Sequence, residues 1–562
     1  MSTLLQSHSG ISLTTWGASI LVLCLSGLYL YRHIVGSGNT ISKIPGPPSK
    51  SFMYGHIREL LKGEVGEHSF KWKKQFGGVL RYKGILGENC LLITDPKAMN
   101  YISNRPDEFT KHPVLKEISR MVFGRGLVWA DGDDHRRQRR INSPAFGANQ
   151  IRAFIPFFHE CAAGIIDKWS SVVDSSKGHS SVIDVTRLIS LGALDAIGKA
   201  AFDYQFDALQ DSDKEESNNE LANCFRNYAH DTFGVTPDIA TFVQELLGML
   251  PVWVSGFFYD WAPVDKIKRV RYTTKVGHDV AKEMIAVKGE ELLSGKQKKD
   301  ILSLLVQANA APSDSKLKLG QEELMATLHT LIIAGHETTA TWLNWVMYEL
   351  ASKPDMQAKL RKEVNERMYA VRSRGDSMYS ASDLEQDMPY LQAILKETLR
   401  FHGPIYHHLK IPTVDSVVPL SRPITTTDGQ VLESLSIEKG THIYLDIAGY
   451  NRDPDIFGKD ADTFRPERFL NGEVNETSGL AGPYGSVMTF SAGPRTCIGW
   501  RFAVLEAAVF TAEFVRHFEF KIPPHITRIK REASLAMIPV VEGEEEKGHQ
   551  LPLVVTSIVS DD

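Results

Sequence analysis

The residues best placed to do chemistry lie in Phe490-Ser491-Ala492-Gly493-Pro494-Arg495-Thr496-Cys497-Ile498-Gly499, where one cysteine sits in a glycine-bracketed loop ahead of a helical run, Phe502 to Phe514. Gly493 and Gly499 let the backbone approach a flat ligand. The amino end of a helix stabilises a thiolate. Cys497 is therefore a candidate metal ligand, able to hold haem iron and leave the opposite face open for oxygen. Arg495, two residues earlier, offers a planar fork to a carboxylate of that cofactor. The spacing of Phe490, Gly493, Arg495, Cys497 and Gly499 sets this cysteine apart from the buried, inert thiol that an isolated cysteine usually is. A second group is Ile332-Ile333-Ala334-Gly335-His336-Glu337-Thr338-Thr339, inside a long helical pattern. Gly335 costs such a helix about 1 kcal/mol relative to alanine, and Glu337 and Thr338 put polar groups into an apolar stretch. Threonine hydroxyls can bond back to a carbonyl one turn earlier and open the helix locally, which would leave a groove and a proton path.

With these two segments the chain resembles the cytochrome P-450 superfamily of haem-thiolate monooxygenases, and most closely its membrane-anchored eukaryotic microsomal type, with a fungal look. Phe490 to Gly499 matches the family's cysteine-ligand signature. The resemblance implies haem b with Cys497 as its axial thiolate and metal ligand, Arg495 beside a propionate, and Glu337 and Thr338 as the acid-alcohol pair that delivers protons. It extends to the run His135-Arg136-Arg137-Gln138-Arg139-Arg140. There the family carries an aromatic residue four places before an arginine, both reaching the propionates. His135 and Arg139 occupy those places, with histidine where tryptophan is frequent, and Lys410 falls where an arginine often stands. Glu397 and Arg400, three apart on one helix face, together with Arg468 imply the family's buried charge cluster, which is structural. Gly403-Pro404 departs from a frequent Pro-Pro pair. The adjacent His407 and His408 point apart on a strand and read as polar pocket lining or surface rather than metal ligands.

These residues must be held by a scaffold that the pattern predicts to be mainly α with small β-sheets, an α+β fold in one globule. Helices are expected over 151–170, 185–202, 264–294, 321–352, 355–370 and 388–402, and strands over Val79 to Lys83 and Cys90 to Thr94. By family position, residues 111–128 and the helix near Ala334 should line the pocket. Hydrophobic residues make up 43% of the chain and charged residues 23%, enough for a large core. The net charge of −5 excludes a dedicated nucleic-acid binder, and five scattered cysteines offer no disulfide framework.

From Ser2 to Tyr31 there is no charged residue. Residues 11–31 read as a transmembrane anchor after a lumenal 1–10, followed by a basic, proline-rich hinge over 32–50 and a catalytic domain over 51–562. Nothing before the Ile44-Pro45-Gly46-Pro47-Pro48 elbow reads as core. The expectation is a single-pass endoplasmic reticulum protein with a cytosolic catalytic domain. Between Leu246 and Trp261 the density of aromatics suggests a lipid-dipping lip at the substrate entrance, with plain core packing as the alternative. No dinucleotide-binding fingerprint is present, so the implied partners are a separate NADPH-dependent flavoprotein reductase, a b-type cytochrome as a second donor, membrane lipid and a lipophilic substrate such as a terpenoid or a hydrocarbon-like xenobiotic. A haem-thiolate isomerase or dehydratase needing no reductase, and a membrane-tethered haem sensor or carrier, share the cysteine signature. The intact Glu337-Thr338 pair argues against the first.

Overall fold

Helix follows where apolar residues recur at helical spacing between prolines and glycines, and the computed structural model bears this out for most of the chain. It describes residues 40–558, apart from 62, 177–178, 215–216, 226–227, 229–231, 233–237, 251, 296–298, 311–317 and 477–481. The elements used below begin with strands β1 (Val79–Lys83), β2 (Asn89–Ile93) and β3 (Phe109–Lys111) and helices α1 (Pro113–Phe123) and α2 (Gly132–Asn142). Helices α3 (Val185–Ile197), α4 (Val252–Trp261), α5 (Asp265–Leu293), α6 (Gln321–Ser352) and α7 (Pro389–His402) follow. Strands β4 (His407–Pro412) and β5 (Ile443–Asp446) and helix α8 (Trp500–His517) complete the set. The mainly helical α+β expectation holds, and the described residues form four small sheets. The expected anchor over 11–31 lies outside the described residues. Among the described residues no helix is long and apolar enough to cross a membrane.

Helix boundaries have local causes. The Glu323 side chain accepts from the Gly320 N–H at 2.9 Å, satisfying a donor at the start of α6. Pro354 and Pro389 stand at the first turn of their helices, where a missing N–H costs nothing. Helix α2 has Asp133 and Asp134 in its first turn and Arg139 and Arg140 in its last, each sign at the favourable end of the dipole. The region expected to be helical over 185–202 divides into α3 and a π-turn at Gly198–Phe202. A Cβ on Gly198 would come within 2.5 Å of the Phe206 ring, so the turn exists where the chain packs back on itself.

Helix α6 is the axis of the molecule. Trp342 and Trp345 are fully buried in it, and α3 and α8 pack on its sides. The main sheet has the order β1-β2-β5-β4-β3, with β2 and β5 parallel and every other pair antiparallel. Against this sheet packs a second core containing Ile41, Ile44, Val79, Leu91 and Ile93. The expectation that nothing before the proline elbow belongs to the core is corrected here, since Ile41 and Ile44 are both completely buried. Two isoleucines three residues apart carry too little periodic signal to be seen before the sheet they cover is known.

The Glu397 cluster forms as the spacing implies. Arg400 donates to both Glu397 oxygens at 2.7 and 2.8 Å, and Arg468 Nε donates to Glu397 Oε1 at 3.1 Å. The remaining Arg400 donors reach the carbonyls of Asn451, Ala461 and Thr463 at 2.7–3.0 Å, so every guanidinium N–H is used. Asp460 pairs with Arg468 at 2.9 Å and balances the second charge.

Candidate active site

The cysteine loop is closed by its own backbone. Cys497 N–H donates to the Phe490 carbonyl at 2.8 Å and Thr496 N–H to the Gly493 carbonyl at 3.1 Å. Gly493 has φ +66°, and a Cβ there would lie 2.7 Å from the Ser103 carbonyl oxygen, so both conformation and space demand glycine. Gly499 meets no such neighbour within 4 Å, leaving open space beside the cysteine at the foot of α8. Phe490 is buried and packs edge-on against Trp342, which fixes the loop to α6. Cys497 as a residue is exposed. Surrounding protein pushes its thiol up, and the Gly499 N–H and the Arg139 charge draw it back part of the way.

Basic groups converge on this loop. Arg139 donates to the Thr496 carbonyl at 2.5 Å. Arg495 donates to the Ala130 carbonyl and to Asp131 Oδ1, both at 2.7 Å. Lys111 and Lys116 reach the two oxygens of the same carboxylate at 2.9 Å. Burial lowers Lys410 to about 8, helped by Lys111 and Arg495, and lowers Lys111 to about 8, helped by Arg495. His135 falls to about 3 through burial and the charges of Arg495, Lys111 and Arg139. Burial alone would raise Asp131, but its lysine partners hold it at about 2. His135, Arg139, Lys410 and Arg495 are thus brought together, and the structure adds Lys111 and Asp131, which sequence reasoning missed. Lys111 faces Lys410 directly across β3 and β4. Like charges in that register are destabilising unless an anion lies between them.

On α6 the four residues Leu331, Ala334, Gly335 and Thr338 are half-buried, while Ile332, Ile333, His336 and Glu337 between them are buried. The accessible four follow helical spacing and form one strip. The Thr338 hydroxyl donates to the Ala334 carbonyl at 2.7 Å, and Thr339 to Gly335 at 3.1 Å. Back-bonding is therefore present, but the expected local opening is not: α6 is continuous α-helix throughout. Gly335 has a packing reason instead, because a Cβ there would lie 2.9 Å from Ile197 of α3. Glu337 points off the strip, with its carboxylate 3.3 Å from His336 Nε2. A residue the sequence did not flag, Glu506 of α8, is completely buried against Thr339, and burial pushes its carboxyl well above the ordinary range. Of the stretch expected to line a pocket, Arg120, Met121 and Arg125 border a cleft of about 540 Å³ with Thr274, His278 and Met325; Ala334 does not.

This donor set suits haem. The cysteine offers a soft ligand, and the desolvated cations around a single carboxylate need further negative charge, which two propionates provide. Comparison with known proteins agrees. The cytochrome P450 family model matches residues 45–541. Cytochrome P450 monooxygenase 205 of Postia placenta is 31% identical over 549 residues, covering 97% of this chain and 96% of the relative. Monooxygenase 128 of the same fungus is 32% identical, covering 91% and 92%, and monooxygenase claO of Ampulloclitocybe clavipes is 31% identical, covering 96% and 98%. The family works with haem-thiolate iron and electrons from a separate reductase, and its fungal relatives bear out the resemblance read from the motifs. This chain belongs to the cytochrome P450 monooxygenase family.

Proposed function

We propose that the chain inserts one atom of O2 into a lipophilic small molecule, a terpenoid-like metabolite or a hydrocarbon-like xenobiotic, at the endoplasmic reticulum membrane, using electrons from an NADPH-dependent flavoprotein reductase with a b-type cytochrome as a second donor. The observation that carries this reading is the convergence of Lys111, His135, Arg139, Lys410 and Arg495 beside Cys497. Haem iron held by the Cys497 thiolate supplies oxygen activation. Arg139, Arg495, Lys111 and Lys410 would neutralise its carboxylates, with neutral His135 beside them. Phe490, Gly493 and Gly499 shape the loop that the ring lies against.

Thr338 stands on the accessible strip of α6 with its hydrogen already given to Ala334, so its oxygen accepts a proton-bearing partner there. Glu337, one residue before, is the acid from which protons are replenished. The membrane setting rests on the uncharged 11–31 stretch and on α4. There Trp253, Phe257 and Trp261, spaced four apart, are 76%, 67% and 72% exposed, while Asp260 pairs with Arg120 of α1 at 2.9 Å. One helix side is held to the protein and the other offers aromatic rings to lipid. We place the domain boundaries at the segments given above, moving the start of the globule back to residue 40. Reductase- and NADPH-dependent oxygen consumption coupled to a hydroxylated product is the test. A ferric low-to-high-spin titration with terpenoids, sterols, fatty acids and polycyclic aromatics selects the substrate class beforehand. Product formation without reductase would instead favour an isomerase or dehydratase.

A further inference from the structure

A second cluster of metal-ligating side chains stands apart from the cysteine loop, on the main sheet. Leu91 of β2 lies opposite Ile443 of β5 in the parallel pair, so the preceding residues, Cys90 and His442, are neighbours with side chains on one face. Glu88, two residues before Cys90, falls on that face as well. A carboxylate oxygen of Glu88, the Cys90 sulfur and a His442 ring nitrogen lie within 4.8 Å of one another. Glu88 Oε2 is 3.4 Å from His442 Nδ1. His112, at the amino end of α1, places its Nε2 3.4 Å from the same Nδ1 and 3.1 Å from His442 Nε2.

Donors about 2.1 Å from a tetrahedral ion stand about 3.4 Å from each other, so the Glu88–His442 spacing is that of ligands sharing one ion. The donors border a cavity of about 40 Å³, closed by Leu60, Tyr82, Leu409 and Tyr444. That volume exceeds what a single water needs. A second carboxyl, Glu245, lies on the same wall, and the described lining residues include no lysine or arginine.

We propose that Glu88, Cys90 and His442 bind a zinc ion, with water as its fourth ligand and His112 against the His442 ring. Mixed sulfur, nitrogen and carboxylate donors select Zn2+ over Mg2+ or Ca2+. Binding converts the Cys90 thiol to thiolate, its proton leaving to solvent as the ion enters. The ion would join the β1–β2 hairpin to β5 and, through His112 against His442, to the start of α1, and α1 in turn holds α4 through Arg120 and Asp260. The site is structural and separate from the haem iron.

The test measures zinc per haem in the purified full chain, before and after chelation and readdition of Zn2+ alone. One zinc per haem is expected in the wild type, falling at least tenfold in Cys90→Ser and His442→Gln variants that keep the reduced carbon-monoxide band. In case those variants fold poorly, chelated wild type offers a second readout: zinc at a hundred to a thousand times Kd should raise Tm by about 2 to 4 °C. Failure of the chelated wild type to regain stoichiometric zinc, with its haem band intact, would overturn the proposal. Zinc uptake equal in wild type and both variants would overturn it too, leaving a hydrogen-bonded histidine pair.

Discussion

At the residue scale, the site concentrates strain and polarity where the surrounding fold can hold them. Ser491, within the cysteine loop, has φ +62° and ψ −176°, a region that only glycine visits freely. Its strain is of order 1–3 kcal/mol, paid by the bonds that close the loop. Ser491→Gly should therefore stabilise the holoprotein by about 1 kcal/mol, read as a higher midpoint in thermal or urea unfolding, with an unchanged reduced carbon-monoxide band. An equal or lower midpoint would place the strain elsewhere. Thr338 makes a different demand. If its hydroxyl steers protons, Thr338→Ala should retain haem and still consume NADPH, yet divert reducing equivalents to peroxide at the expense of product. Thr338→Ser should restore coupling, because the hydroxyl and not the methyl is used. Unchanged coupling in the alanine variant would remove Thr338 from the proton path. Cys497, Arg495 and Arg139 were legible in the sequence because each belongs to a short local pattern. Lys111 and Asp131 were not, since their place depends on strand register and on a loop that reaches across the molecule.

At the element scale, α6 and α7 were legible from apolar periodicity and terminal prolines, to within a residue or two of their observed limits. What periodicity could not show was why a glycine, Gly335, stands within α6. The answer is the side chain of Ile197 in another helix, and no window of α6 contains it. Helix α7 is pinned by charge as well as by its apolar side, where Leu391, Ile394, Leu395 and Leu399 are buried. Arg400, Glu397 and Arg468 are essentially inaccessible, and Arg400 bridges α7 to three carbonyls between residues 451 and 463. Removing Arg400 would leave the buried Glu397 carboxylate with half its countercharge and the Asn451 and Ala461 carbonyls without donors, while Thr463 keeps its bond from Arg468. The cost expected for Arg400→Ala is about 3–5 kcal/mol, a large part of an ordinary stability margin. Expression should yield little haem-loaded protein, and Arg400→Lys should recover only part of it because one ammonium cannot reach all the acceptors. Wild-type haem loading in Arg400→Ala would show that the cluster is dispensable.

At the scale of the whole molecule, two properties follow from what the core encloses. His329 is fully buried beside Phe225 and His278, and burial lowers it to about 3. His402, stacked on Trp345, is lowered to about 4. Between those values and the unfolded value near 6.5 the unfolded chain binds protons that the folded chain does not. The stability these two histidines contribute is therefore complete above about pH 6.5 and declines as pH falls, by up to about 1.4 kcal/mol per pH unit each. Unfolding midpoints between pH 7 and 5 should fall, and His329→Phe, if folded, should flatten that slope. The other property is where the globule begins. Ile41 and Ile44 are completely buried in the core beneath the main sheet, and the Lys43 carbonyl accepts from the Thr427 N–H at 2.8 Å. A chain lacking residues 1–39 keeps these contacts and should bind haem with the wild-type band and unfolding midpoint, while losing most of its affinity for membranes. A chain lacking residues 1–44 forfeits both isoleucines, each worth about 2–5 kcal/mol by analogy with large-to-alanine changes in cores. The five residues between the two truncations therefore separate anchoring from folding: equal stability of the two shortened chains would mean that the sheet core closes without them.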